Sequence, residues 1–264
     1  MSEALLRTRG LCRRFGGLQA VADLDLEARA GEILGLIGPN GAGKSTTFNM
    51  IAGALTPSAG TIEFAGRSMA GLPTHAFAAS GILRTFQHNK PFASMSVLEN
   101  VMVGMHTTIG LSLWQVLAST RASRDAQARC EARARELIEF VGLSEWQSAD
   151  VSTLSFGQGR LLETARALAG SPRLILFDEP AAGLSPAELL RLGEIIRAIA
   201  AQGIAVVLIE HDMRFLMSLA ERVIVLNFGR KIAEGTPEEV SVHPAVMEAY
   251  LGQAGVGTVN HAHG

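Results

Sequence analysis

Gly38-Pro39-Asn40-Gly41-Ala42-Gly43-Lys44-Ser45 has the spacing GxxxxGK[ST], the arrangement a chain needs to wrap a polyphosphate. Glycines let the backbone curl so that successive N–H groups point at phosphate oxygens, and a helix opening at Lys44 adds its positive N-terminal end. Lys44 is expected to neutralise the β and γ phosphates, and the Ser45 hydroxyl to hold Mg²⁺, a cation that takes oxygen ligands and keeps several waters. The candidate cradle runs from Gly38 to Thr46. A second set of chemical groups closes Leu174-Ile175-Leu176-Phe177-Asp178-Glu179, where an apolar run ends in two acids. Asp178 is expected to hold Mg²⁺, directly or through water, and Glu179 to orient or deprotonate a water attacking the γ-phosphate. Neighbouring residues on a strand point opposite ways, so the two acids divide these tasks only if the chain turns at Glu179. Pro180 favours that turn. Together the two motifs predict a nucleoside-triphosphate hydrolase of unspecified type.

The elements that must position these groups follow from apolar spacing. Alternation predicts strands at Leu5 to Cys12 and Leu18 to Glu27, and continuous apolar runs predict buried strands at Ile33 to Ile37, Leu174 to Phe177 and Ile204 to Ile209. Thr61 to Phe64, Arg222 to Leu226 and Lys231 to Ala233 read as further short strands. Helices are expected from Lys44 to about Ala54, at Gln158 to Ala169, at Pro186 to Ala201, and in a segment ending near Leu251. Ser96 to His106 and Arg124 to Val141 carry helical spacing with charged faces, which predicts a helical insertion between two halves of an α/β core. The tail from Gly252 to Gly264 has little to anchor it, and its His261 and His263 read as incidental rather than as metal ligands.

Composition narrows the setting. The 264 residues are 48% hydrophobic and 18% charged, a globular profile long enough to bury a core. With 23 basic and 25 acidic residues the net charge is -2, so no overall field would hold a nucleic acid. Cys12 and Cys130 are too few for a disulfide framework and lack metal-ligand spacing; they read as buried thiols in a reducing compartment. No signal peptide or spanning helix is legible, and the expected location is cytosolic unless a partner recruits the chain.

Leu154-Ser155-Phe156-Gly157-Gln158, just before the acidic strand, resembles the LSGGQ signature of ABC ATPases, the motor subunits of ATP-binding-cassette transporters. The resemblance extends to motif order over nearly the whole chain: Phe15 upstream of the phosphate loop, Gln87 in Arg84-Thr85-Phe86-Gln87, the signature, the acidic strand, Ala182-Gly183-Leu184-Ser185, and His211 after Ile204 to Ile209. It implies a P-loop, RecA-like α/β fold: a mostly parallel core sheet, an N-terminal antiparallel β subdomain and an inserted helical subdomain. Residues 1–86 and 166–251 would form the core, 87–165 the helical subdomain and 252–264 a flexible tail. By the same resemblance Phe15 would stack on adenine, and Gln87 would sense Mg²⁺ and the attacking water. Ser155 and Gly157 would bind the γ-phosphate of ATP on a second ATPase subunit, with Gln158 beside them in the nucleotide-binding set, and His211 would contact the γ-phosphate of its own. Taken singly, Phe15 fits a core aromatic, Gln87 a surface amide and His211 a structural histidine; their joint order selects the family roles. A helix N-terminus with a serine and a glycine offers donors to an anion, so a signature of this kind can complete a phosphate site that one chain leaves half open.

Arg84 to Gln87, Ile209-Glu210-His211-Asp212-Met213, the stretch after His106, and Glu248-Ala249-Tyr250-Leu251-Gly252 resemble the ATPase subunits of branched-chain amino-acid uptake systems. The resemblance implies the motor of an importer for branched-chain amino acids or a related small polar solute, with a pair of ATPase subunits, identical or different, on two membrane permeases fed by an extracytoplasmic solute-binding protein. The chain would then sit peripherally on the cytoplasmic face of the inner or plasma membrane. Residues between Phe86 and Trp114, among them Phe92, Met95 and Val97, would receive a permease helix or else pack the insertion. Phe156 stands where LSGGQ has glycine, and Ser185 where the general SALD pattern has aspartate, which puts in doubt any cross-dimer contact needing that carboxylate. A soluble ABC ATPase remodelling a nucleoprotein complex is the alternative, but it usually carries paired cassettes or sustained heptads, and neither is present. An exporter motor shares the same ATP chemistry.

Overall fold

A computed structural model describes residues 4–85, 91–105 and 121–254 of the chain. Its first sheet is antiparallel, ordered β2-β1-β4-β5 from β1 (Ala4–Phe15), β2 (Leu18–Arg29), β4 (Ala59–Phe64) and β5 (Arg67–Ser68). The second has β3 (Ile33–Ile37), β6 (Ile82–Arg84), β7 (Leu174–Asp178), β8 (Ala205–Ile209), β9 (Arg222–Asn227) and β10 (Arg230–Gly235), in the order β10-β9-β3-β8-β7-β6. All its neighbours run parallel except β9 and β10, which form an antiparallel hairpin at one edge.

β3, β7 and β8 are buried at every residue, as expected of parallel strands covered on both faces. Alternate residues divide between two cores. Leu174 and Leu176 join Phe48, Phe64 and Leu36 beneath the antiparallel sheet, while Ile175 and Phe177 join Leu192, Ile196 and Leu216 on the other side. Helices α1 (Lys44–Ile51) and α2 (Thr74–Ala79) precede β6. The helical insertion is built from α3 (Val97–Gly104), α4 (Arg121–Val141) and α5 (Phe156–Ala169), which pack on one another. The C-terminal half adds α6 (Pro186–Ala201), α7 (Met213–Leu219), α8 (Pro237–Ser241) and α9 (Pro244–Ala254).

The predicted elements all form, most with ends moved by one to three residues. β5, α2, β6 and α7 have no counterpart among them, being two to seven residues long. α9 runs through Ala254, three residues beyond the expected end near Leu251 and into the start of the expected tail. The two thiols are free but half-buried rather than buried: Cys12 lies beyond a β1 irregularity, and its Sγ accepts the Asp23 N–H at 3.2 Å. Among the described residues no helix is long and apolar enough to cross a membrane. Phe86, Gln87, His106, Trp114, His261 and His263 lie outside the described residues.

Candidate nucleotide-hydrolysing site

Register brings the chemical groups to one edge of the parallel sheet. Leu36 of β3 pairs with Ile209 of β8, and Ile209 with Asp178 of β7, so the three strands end in one row. The residues just beyond the strand ends form the rim: the phosphate loop after β3, Glu179 after β7, and Glu210 and His211 after β8. Ligands bind at this carboxyl edge in open α/β sheets.

The loop is shaped by backbone rather than side chains. Gly43 has φ 100, and a Cβ there would lie 2.4 Å from the Ala20 carbonyl, so only glycine lets the loop pass beneath β2. The helix it opens, α1, has no side-chain cap and no acid in its first turn. By contrast α3, α5, α6 and α8 each close their N-terminus with a full capping box. The first N–H groups of α1 therefore have no side-chain acceptor, a donor set that fits phosphate oxygens. Lys44 is buried, its Nζ donating to the Gly38 carbonyl at 2.6 Å and the Pro39 carbonyl at 3.0 Å. Burial pushes its ammonium below the usual lysine range, while the nearby Glu179 and Asp178 carboxylates pull the other way. An incoming anion would relieve that desolvation.

The two acids separate as the turn requirement demands. Asp178 is buried on the same face as Leu176 and pairs with Arg84, whose other terminal nitrogen donates to Asn49 Oδ1 of α1 at 2.6 Å. Arg84 stands opposite Leu176 in the ladder, two residues before Asp178, which explains the reach. At Glu179 the chain turns through φ 50, and its N–H donates to the Ile209 carbonyl at 2.9 Å. That left-handed turn swings Glu179 towards His211, whose Nε2 lies 2.7 Å from Glu179 Oε1.

A cavity of about 490 Å³ gathers Phe15, Asn40, Gly41, Ala42, Gly43, Lys44, Ser45, Thr46, Glu179 and His211. Leu18, Gln19, Ala20 and Phe228 complete its wall and are not among the residues the sequence motifs single out. Phe15 is 45% exposed, with the Arg13 guanidinium 4.7 Å from its ring centroid. Phe228 is 82% exposed at φ 46 in the β9–β10 turn, which is pinned over the loop by Gly229 N–H to Ala42 C=O (3.0 Å) and Ala22 N–H to Gly229 C=O (2.8 Å). The turn pair Phe228-Gly229 is its only sequence signal.

Ser155, Gly157 and Gln158 stand apart from this cavity, at the N-terminus of α5. Ser155 Oγ accepts the Gln158 N–H at 3.2 Å, and Gln158 Oε1 accepts the Ser155 N–H at 2.8 Å. Ser155 is exposed, and its hydroxyl proton remains available to donate to an anion. Both departures from the general pattern have local reasons. The Phe156 ring lies under Arg160 and over Gly183, where an added Cβ would sit 3.0 Å from Cε1. Ser185 is the N-cap of α6, in a capping box with Glu188. Among residues 91–105, Val97 is buried, Met95 half-buried and Phe92 45% exposed, so packing claims the first and leaves the last on the surface.

A phosphate loop, an acidic strand end and a histidine on adjacent parallel strands, with a signature helix placed away from them, define an ATP-binding cassette. The ABC transporter family matches residues 21–182, and the branched-chain amino acid ATP-binding cassette transporter family matches residues 230–256. The chain is 44% identical to the high-affinity branched-chain amino acid transport ATP-binding protein LivG of Salmonella typhimurium, over 96% of this chain and 100% of that protein. It is 39% identical to BraF of Pseudomonas aeruginosa over the same shares. The ADP conformation of MJ1267, an ATP-binding cassette of an ABC transporter, superposes with a TM-score of 0.83 at 30% identity, covering 95% of this chain and 100% of that one. The chain therefore belongs to the ABC transporter ATP-binding family, and it is an ATPase.

Proposed function

We propose that this chain is the ATP-hydrolysing subunit of an importer for branched-chain amino acids, working as one of two ATPase subunits on membrane permeases at the cytoplasmic face. The observation that carries the two-subunit reading is the separation of donors: Lys44, Glu179 and His211 share one cavity, whereas Ser155 is exposed outside it at the N-terminus of α5, with Gly157 buried behind it. A γ-phosphate held on Lys44 would meet Ser155 only from a second chain. The similarity to LivG and BraF, named for branched-chain amino acid transport, supports the cargo.

The residues present fit Mg²⁺ and nucleotide. Ser45 offers an exposed hydroxyl on the first turn of α1, and Asp178 is a carboxylate beside Lys44. Among the described residues no cluster of three acidic, histidine or cysteine side chains could hold a metal, which suits an ion held largely by phosphate and water. When bound, Mg²⁺ would neutralise charge developing on the phosphates. Lys44 and the α1 N-terminus hold the phosphates, and Phe15 supports the adenine. Glu179 orients the attacking water and takes its proton at the carboxylate, and His211 fixes Glu179 and reaches the γ-phosphate. Gln87 is assigned to the ion and the water by the family resemblance. Phe92 is the exposed anchor for a permease helix, and the extracytoplasmic solute-binding protein acts through the permeases.

The test is reconstitution with the permeases that co-purify from native membranes. ATPase activity should rise when a solute-binding protein delivers leucine, isoleucine or valine. Stimulation by a lipid or by a nucleic acid instead would assign the motor to export or remodelling.

A further inference from the structure

Glu210 lies between β8 and His211, outside the set of groups that meet the nucleotide. Its carboxylate is buried, and its two oxygens serve two loops. Oε1 accepts the Ala181 N–H at 2.6 Å, and Oε2 accepts the His211 N–H at 3.1 Å, with the Asp212 N–H as a further donor. Ala181 belongs to the loop that carries Glu179, so one carboxyl group ties together the loops whose side chains meet 2.7 Å apart at Glu179 and His211.

The tie matters because Glu179 is held in a conformation that non-glycine residues avoid. Its φ of 50 lies in the left-handed region and persists only where the surroundings over-determine it. Among the attachments that do so are its own N–H on the Ile209 carbonyl at 2.9 Å and the Ala181 N–H on Glu210 two residues later, alongside the Ala182 N–H on the Glu179 carbonyl at 3.4 Å. Release of the second would let Glu179 relax out of the left-handed turn, away from His211.

We propose that Glu210 is a positioning residue for hydrolysis, a buried carboxylate latch that holds the Glu179 and His211 loops in register. This rests on the reading of Glu179 and His211 as the pair acting at the γ-phosphate. Glu210 itself points inward to backbone and does not line the nucleotide cavity.

Glu210→Gln keeps the volume but replaces one accepting oxygen by an NH₂ group, so one of the two loops must lose its partner. Single-turnover ATP hydrolysis should fall by about 10- to 100-fold, the scale of a misplaced catalytic group, while affinity for a fluorescent ATP analogue stays within about threefold. Added to Glu179→Gln, it should cost less than about twofold more, because the latch acts through Glu179. Glu210→Asp keeps both oxygens but is one methylene too short to span the loops, and it should show the same selective loss if the Gln variant folds poorly. Parent-rate hydrolysis by Glu210→Gln beside an inactive Glu179→Gln would overturn the latch alone. Fully multiplicative losses in the double variant would overturn it too. Parent-rate hydrolysis by Glu179→Gln would instead remove the reading on which the latch rests.

Discussion

Nε2 of His211 lies 2.7 Å from Oε1 of Glu179, joining the C-terminal ends of β8 and β7 across the rim of the nucleotide cavity. The contact requires Glu179 to leave the direction of β7, which its positive φ accomplishes. Before nucleotide arrives, the imidazole thus holds the carboxylate in place. His211→Ala should leave nucleotide affinity within a few-fold and reduce single-turnover hydrolysis by about 10²-fold, the lower range for positioned acid–base groups. Equal rates for the variant and the parent would reduce His211 to a surface histidine.

Lys44 gives a prediction in which binding and stability move apart. Lys44→Ala should weaken ATP binding and abolish turnover, since the loop holds no other ammonium. The apo chain behaves oppositely. Burial lowers the Lys44 pKa below 10.5, so between the lowered value and 10.5 the unfolded chain binds more protons and stability rises with pH. Below that window the desolvation cost is present in full. Lys44→Met, which removes the charge, should therefore melt no lower than the parent at pH 7 to 8, and any advantage should shrink as pH approaches 10.5. Thermal melts across that range check the sign.

Much of this molecule can be read from residue order, because its decisive motifs are local. The phosphate loop, the acidic strand end and the five-residue apolar strands each carry their chemistry within a few positions. The boxes Ser155–Gln158, Ser185–Glu188 and Thr236–Glu239 are also legible as [ST]-x-x-[EQ], although the signature draws attention to its glycine instead. What escapes is long-range. Arg84 reaches Asp178 across 94 residues, and Glu210 reaches Ala181 across 29, so neither contact leaves a periodic trace. β6 is only three residues long, too short for alternation to register. The exposure of Phe92 and the burial of Val97, five residues later, could not be told apart by spacing, since both are apolar in one mixed segment.

The Ser185 capping box gives a stability prediction free of nucleotide chemistry. Ser185 Oγ accepts the Glu188 N–H at 3.4 Å, and Glu188 Oε2 accepts the Ser185 N–H at 2.8 Å. Ser185→Ala should lower the melting temperature by about 2–4 °C for a chain of this length. Hydrogen bonds from Ser185 hold the Glu188 carboxyl below its ordinary pKa, so their contribution is present above the unfolded value and fades as pH falls through the folded one. The gap between variant and parent should narrow on acidification. A Cβ at Gly157 would fall 2.0 Å from Glu188 Oε1, so Gly157→Ala displaces the same carboxylate, and the two substitutions should be less than additive. Full additivity would show that the signature helix and α6 are not coupled through Glu188.

The central claim is that Glu179 supplies the basic oxygen for ATP hydrolysis, and single-turnover hydrolysis by Glu179→Gln, with Mg²⁺ and with nucleotide binding measured on the same samples, tests it most directly. Glutamine keeps the size and one accepting oxygen but cannot take the proton, so hydrolysis should fall by about 10²- to 10⁴-fold while ATP remains bound. ATP-bound protein should then accumulate as a dimer on size-exclusion chromatography. Hydrolysis at the parent rate would contradict the assignment, leaving Glu179 as a cap on the end of β7 and placing the base elsewhere.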